Sequence, residues 1–245
     1  MTLSDIYLFA KADSSKKTFP ELKGEAERGS AEAQNELGNC YFKGIGISEN
    51  RNEAMKWYHK SAEQGYAEAQ FNLGKRYFKM RDFSESVKWY KASAEQGYAK
   101  AQCKLARCYF AGYGVEVDKI EAVKWFRKAA EQGYAGAQCA LARCYFNGDG
   151  VEANDEEAVK WLKVAAEQGN TDAKFNLAQC YLEGRGVEKN CEEAVKLNSY
   201  YDRELYEDGC WTSIRMKSIA YPSLEEIYSK PRAQEQNTDT LPKHK

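Results

Sequence analysis

Small and apolar residues return along this chain at helical spacing. Ala33, Leu37, Gly38 and Tyr41 stand at offsets of four, five and eight residues, which puts them on one face of an α-helix. The same columns reappear as Ala101, Leu105, Ala106 and Tyr109 and again as Ala137, Leu141, Ala142 and Tyr145. A second face follows each time, exemplified by Ala122, Trp125, Phe126, Ala129 and Ala130, with Trp57, Trp89, Trp125 and Trp161 forming one aromatic column. Small residues let helices approach closely, and the Trp column at this spacing is read as packing between successive hairpins. The first helix of each pair (helix A) is predicted to stop at a Gly-x-Gly loop: Gly44-Gly46, Gly112-Gly114, Gly148-Gly150 and Gly184-Gly186. These loops follow no strand, so the phosphate-loop reading fails. The second helix (helix B) is predicted to open on a capping box each time, at Asn50/Glu53, Asp82/Glu85, Asp118/Glu121, Asn154/Glu157 and Asn190/Glu193.

The helical pairs make a strict repeat. Gln-Gly junctions at Gln64-Gly65, Gln96-Gly97, Gln132-Gly133 and Gln168-Gly169 give a period of 36 residues, with one short copy of 32 between Gly65 and Gln96. In that copy Lys79-Met80-Arg81-Asp82-Phe83 replaces the glycine loop, which predicts a tighter turn and a local change of curvature. A two-helix unit cannot bury its apolar faces alone, so the copies must stack in a row. The predicted organisation is a helical cap over 1–28, five repeats over 29–64, 65–96, 97–132, 133–168 and 169–204, a helical capping segment over 205–230, and a polar, disordered tail over 231–245. Residues 19–28 read as the second half of a helix B, and Leu3 to Lys11 as a short amphipathic helix.

Charge narrows the choice of partner. The chain carries 36 Lys and Arg against 37 Asp and Glu, a net charge of −1, with the two signs interleaved, which argues against nucleic acid. No signal peptide or membrane span is read in the sequence, so a cytoplasmic location is expected, with export by a leaderless route left open. Eight cysteines invite a disulfide framework, but Cys103 and Cys108, like Cys139 and Cys144, are five apart on one helix and point in different directions. No Cys-x-x-Cys is present, and His59 and His244 lie far from any cysteine pair, so neither a metal nor a cofactor is expected. The cysteines are read as small buried or half-buried residues.

The motif Ala-Gln-x-x-Leu-Ala-x-Cys-Tyr-Phe-x-Gly-x-Gly-Val, followed by Glu-Ala-Val-Lys-Trp-x-x-Lys-Ala-Ala-Glu-Gln-Gly, recurs in register over about residues 29 to 204. It resembles the Sel1-like repeat, a relative of the tetratricopeptide repeat. The resemblance implies an all-α fold, a right-handed α/α superhelix or solenoid of five helical hairpins with helical caps. It also implies no catalytic residues and an adaptor or scaffold role through protein binding. Some cysteine-rich bacterial members tie each hairpin with a disulfide. Ala129 and Ala130 stand in the region of those members' first cysteine, so such bridges are not expected here.

In a repeat array, function sits where the copies differ. The helix A stripe read as lying opposite the core supplies Phe71, Lys75, Cys103, Lys104, Arg107, Cys139, Arg143, Phe175, Asn176 and Gln179 as candidate partner-binding residues, lining the concave groove by family analogy. Lys75, Arg107 and Arg143 share one column with Lys104 beside it, a basic ladder that suits an acidic or C-terminal carboxylate peptide. The competing reading is an ordinary solvated face. The leading functional expectation is a non-enzymatic scaffold or adaptor that binds a partner peptide or helix in that groove. The alternative is an inhibitor, immunity-type or secreted effector protein that uses the aromatic C-terminal segment.

Overall fold

The computed structural model describes residues 17–197, and every regular element among them is an α-helix. A short opening helix α1 (Phe19–Glu27) precedes the hairpins α2 (Ala31–Lys43) with α3 (Arg51–Glu63), and α4 (Ala67–Lys79) with α5 (Phe83–Glu95). The series continues with α6 (Ala99–Ala111) and α7 (Lys119–Glu131), α8 (Ala135–Asn147) and α9 (Asp155–Glu167), and α10 (Thr171–Glu183) and α11 (Cys191–Leu197). Helix A of the five copies is thus α2, α4, α6, α8 and α10. The expected helix at Leu3–Lys11, the segment 205–230 and the tail 231–245 lie outside the described residues.

The helix B starts form as predicted, with one change in their wiring. Asn50, Asp82, Asp118, Asn154 and Asn190 each accept a bond from the amide three residues on, which satisfies one orphan donor of the first turn. The reciprocal half of the capping box is replaced. Each cap residue's own amide donates instead to a tyrosine carbonyl of the preceding helix A, at Tyr41, Tyr77, Tyr109, Tyr145 and Tyr181, over 2.8 to 3.0 Å. The glutamate so released turns forward and pairs with the lysine three residues on, at Lys56, Lys88, Lys124, Lys160 and Lys196. Such exposed pairs contribute only about 0.2–0.5 kcal/mol each.

The two glycines of each loop do different work. The first ends helix A in the left-handed region, with φ of 70° at Gly44 and 73° at Gly112. The second admits a close approach: a Cβ on Gly114 would lie 2.3 Å from the carbonyl oxygen of Phe83, in the first turn of α5. The short copy turns without glycine. Arg81, at φ 63°, is the one non-glycine residue in the left-handed region among those described.

The chain divides into two compact units at Gln138/Cys139, a boundary that falls inside α8. In the first, successive helices pack in chain order from α1 to α7. Trp57 of α3 joins Leu22 and Ala26 of α1 and Ala33 and Leu37 of α2, and Trp89 of α5 packs on the cluster of Ala54, Tyr58, Ala62, Ala69 and Leu73. The tryptophans at these two positions therefore pack between successive hairpins, as the sequence predicted. Facing columns are matched in size. A Cβ on Gly38 would meet the Tyr58 ring at 2.7 Å and one on Gly74 the Tyr90 ring at 2.5 Å, while the third copy places Ala106 and the smaller Phe126 in the same columns, both fully buried. His59 packs edge-on to Trp89 and lies 3.0 Å from the Tyr77 hydroxyl, which accounts for it structurally.

Buried amides join the hairpins. Gln34, Gln70 and Gln102 each donate to a carbonyl of the preceding helix, at Ala26, Ala62 and Ala94, over 3.0 to 3.2 Å. Each also accepts, at 2.7 Å, from the glutamine that ends its own hairpin: Gln64, Gln96 and Gln132. In the second unit, α9 packs on α10 and α10 on α11. There Arg185, in the loop after α10, donates to Asp155 Oδ1 at 3.1 Å and to the Phe146 carbonyl at 2.9 Å while lying over the Phe146 ring.

Two substitutions test this account. Gln102→Leu removes both glutamine bonds and leaves the Ala94 carbonyl without that partner, so a loss of about 2 kcal/mol is expected, read as a lower midpoint of the helical circular dichroism transition. Arg81→Gly relieves a left-handed cost of about 1–2 kcal/mol and gives back about 0.5–1 kcal/mol in chain entropy, so a slightly higher midpoint is expected. Arg81→Val at the same position should lower it.

Candidate functional site

The candidate residues sort by their place on helix A. The column two residues after the first buried alanine holds Asn35, Phe71, Cys103 and Cys139, and all four are buried. The sequence reading put this column opposite the core. In the structure it is covered, because the residue that opens the next copy's helix A folds back over it. Tyr98 packs on Phe71 with ring centroids 5.3 Å apart, and Cys139 Sγ donates to Asn170 Oδ1 at 3.5 Å. Asn35 in turn accepts from Asn72 Nδ2 at 3.0 Å, a direct tie between α2 and α4.

The cations lie at the edge of this covered strip. Lys75, Lys104 and Arg107 are half-buried. The Lys75 ammonium lies 5.4 Å from the Phe71 ring centroid. Burial pushes the Lys104 ammonium below its ordinary range, and the cations Arg107 and Lys75 push it the same way. Lys75 is lowered by burial and then by Arg76, Lys79, Lys100 and Lys43, all of them cations. This differs from helix B, where glutamate pairs with lysine in every copy. In the second unit, Arg143 is half-buried with its Nε lacking a hydrogen-bond partner, Phe175 is half-buried, and Asn176 and Gln179 are buried.

A row of residues beside these was missed in the sequence. Tyr66 and Tyr98 occupy the cap position of helix A, where Ser30 and Asn170 accept a bond from the amide three residues on, yet neither tyrosine makes a side-chain cap bond. Tyr134 opens the following copy at the same repeat position. Burial raises the Tyr98 phenol first, and then Glu68, Tyr66 and Tyr134 push it the same way. Burial likewise raises Tyr134, with Cys103 adding to the shift and Arg107 opposing it. The signal was local: a residue that cannot cap stands at a cap position, and its ring packs back over the preceding helix A instead.

Among the described residues, no group of three or more His, Cys, Asp or Glu side chains is placed to hold a metal ion. Of the seven described cysteines, five are buried and two half-buried. Burial pushes Cys103 up to about 11 and Cys108 up to about 12. No helix among the described residues is long and apolar enough to cross a membrane.

The Sel1 repeat family model matches residues 31–66, 67–98, 99–134, 135–170 and 171–197. A search of curated proteins found no match. Among solved structures, the chain is similar to a Sel1 repeat protein from Oxalobacter formigenes, with 33% identity and a TM-score of 0.71 over 82% of this chain and 84% of that one. It is also similar to c5321, a protective antigen present in uropathogenic Escherichia coli strains and displaying an SLR fold, with 40% identity and a TM-score of 0.71. That match covers 75% of this chain but only 40% of the E. coli protein, so the chain spans well under half of its length. The immunity protein PA5088 from Pseudomonas aeruginosa, 20% identical with a TM-score of 0.50 over 90% of this chain and 75% of that one, shares the fold alone.

The thiols offer a direct test of the covered strip. Cys103 and Cys108 should resist iodoacetamide at pH 8 in the native protein and label only as helicity is lost in denaturant, followed by peptide mass mapping. Labelling of Cys103 at the rate of a free thiol would show that Tyr134 and its neighbours do not cover it.

Proposed function

This chain belongs to the Sel1 repeat family, whose helical arrays generally serve protein–protein interaction without catalysis, and we propose that it is a scaffold or adaptor that grips a partner's peptide or helix on its helix A face. The observation that carries this reading is the treatment of charge on that face. Lys75 and Lys104 are half-buried; burial lowers both, only cations act on Lys75 beyond that, and Arg107 is the largest charge acting on Lys104. Holding cations partly desolvated and close together costs free energy in the unbound protein. A bound carboxylate would recover that cost through charge-assisted hydrogen bonds. An ordinary solvated face would show the glutamate–lysine pairing seen on helix B. The partner that fits is a polypeptide with an acidic stretch or a C-terminal carboxylate. Tyr98, half-buried over Phe71, supplies apolar surface beside the charges, and Arg107 continues the basic column on α6.

The test is affinity capture from native lysate with the wild-type chain and with Lys75→Glu, Arg107→Glu and Arg143→Glu combined, after circular dichroism shows equal helicity. A partner held by the wild type and reduced at least tenfold by the triple variant is expected. Equal capture by both proteins would place recognition elsewhere on the chain.

A further inference from the structure

The helix A face of the first unit is polarised along the repeats. In the first copy it presents Glu32 and Glu36, both exposed, and the second copy opens with half-buried Glu68. The opposite sign gathers at the far ends of helix A and on α6: Lys43 closes α2, Lys75 lies at the far end of α4, and α6 adds exposed Lys100 and half-buried Lys104 and Arg107. The electrostatic neighbourhoods agree with this placement. Tyr66, at the first junction, is raised by burial and then by Glu68, Glu32 and Glu36, whereas Lys104, on α6, is lowered by burial and then by Arg107. Tyr66 and Tyr98 open the second and third copies on this face, Tyr98 packing edge-on over buried Phe71.

We infer that this face binds one extended polypeptide segment whose charge is ordered, a basic cluster lying over Glu32, Glu36 and Glu68, an apolar or aromatic middle over the tyrosine row, and an acidic cluster over Lys75, Lys100, Lys104 and Arg107. The inference rests on the reading that helix A is the binding face and adds the order of charge that the partner must carry. Complementarity of sign selects this occupant, because a uniformly acidic segment would meet like charge at the first copy and a uniformly basic one at the third. The span is suitable for a short peptide. Packed helices lie about 10 Å apart, and two steps from α2 to α6 come to about 20 Å. An extended chain covers that distance in about six residues. Aromatic side chains in the middle would then bury their faces against Tyr66 and Tyr98 while the charged ends fix the direction.

The experiment is a selection of random 16-residue displayed peptides on the full chain, followed by affinity measurement of the enriched peptides against two variants. Glu32→Lys with Glu36→Lys reverses the acidic end, and Lys75→Glu with Lys104→Glu reverses the basic end. Because Lys104 is half-buried, Lys75→Gln with Lys104→Gln serves as a milder second variant. Enriched peptides should carry segregated basic and acidic clusters and lose affinity at least tenfold in either reversal. Peptides that are acidic throughout, weakened only by the basic-end variants, would overturn the charge order and leave the helix A reading standing. Peptides indifferent to both variants would overturn the two together. No enrichment, or self-association of the chain through this face in sedimentation equilibrium, would also overturn the ordered-segment inference.

Discussion

A glutamine near the start of helix A holds three helices at once. Gln34, Gln70 and Gln102 donate to a carbonyl in the last turn of the preceding helix, sharing it with a backbone amide of the following turn, and accept from the glutamine that closes their own hairpin. The contacts around them are alanine, leucine and aromatic surface, which attracts without direction and would accept neighbouring helices at more than one register. A buried amide is different. It loses about 1–3 kcal/mol if its partners are absent, so any slide of one hairpin along the next is penalised at once. The hydrophobic columns supply the attraction and the glutamines set the register, and the tyrosine carbonyls that receive the helix B amides tie the other end of each hairpin. Everything on the helix A face is positioned by this frame.

The frame was legible because it is written in columns. The glycine loops, the Asn and Asp caps and the tryptophan packing all follow from local rules applied to repeated positions. What sequence could not show was the change of partner at the cap. The glutamate of a capping box reads as bonded backwards, and only the placement of Tyr41, Tyr77 and their equivalents shows that the backward bond is already taken. The size matching of Gly38 with Tyr58 and of Ala106 with Phe126 was present in the sequence but had no meaning until the two columns were known to touch.

The site was less legible for a related reason. A single helix has one apolar face by periodicity, and Phe71, Cys103 and Cys139 fall off that face, so their stripe reads as opposite the core even though the cysteines by type read as buried or half-buried. Helix A in this array has a second covered side, where the next copy's opening residue closes over it. That geometry is a property of two neighbouring repeats and appears in no single repeat's pattern. It also converts the tyrosines of the Gly-Tyr-Ala junction from punctuation into surface, since a residue that closes over the preceding helix presents its other side to solvent.

Two faces of the same hairpins are thus treated in opposite ways. On helix B each copy pairs a glutamate with a lysine within one turn, at Glu53 with Lys56, Glu85 with Lys88 and Glu121 with Lys124. On helix A the charge is sorted along the array, with Glu32 and Glu36 in one copy and Lys100, Lys104 and Arg107 two copies later. Interleaving the two signs on helix A would have lowered the free energy of the unbound chain, as it does on helix B. Sorting them raises it. On the proposed reading this sorting is a cost that a ligand of matching charge order would offset.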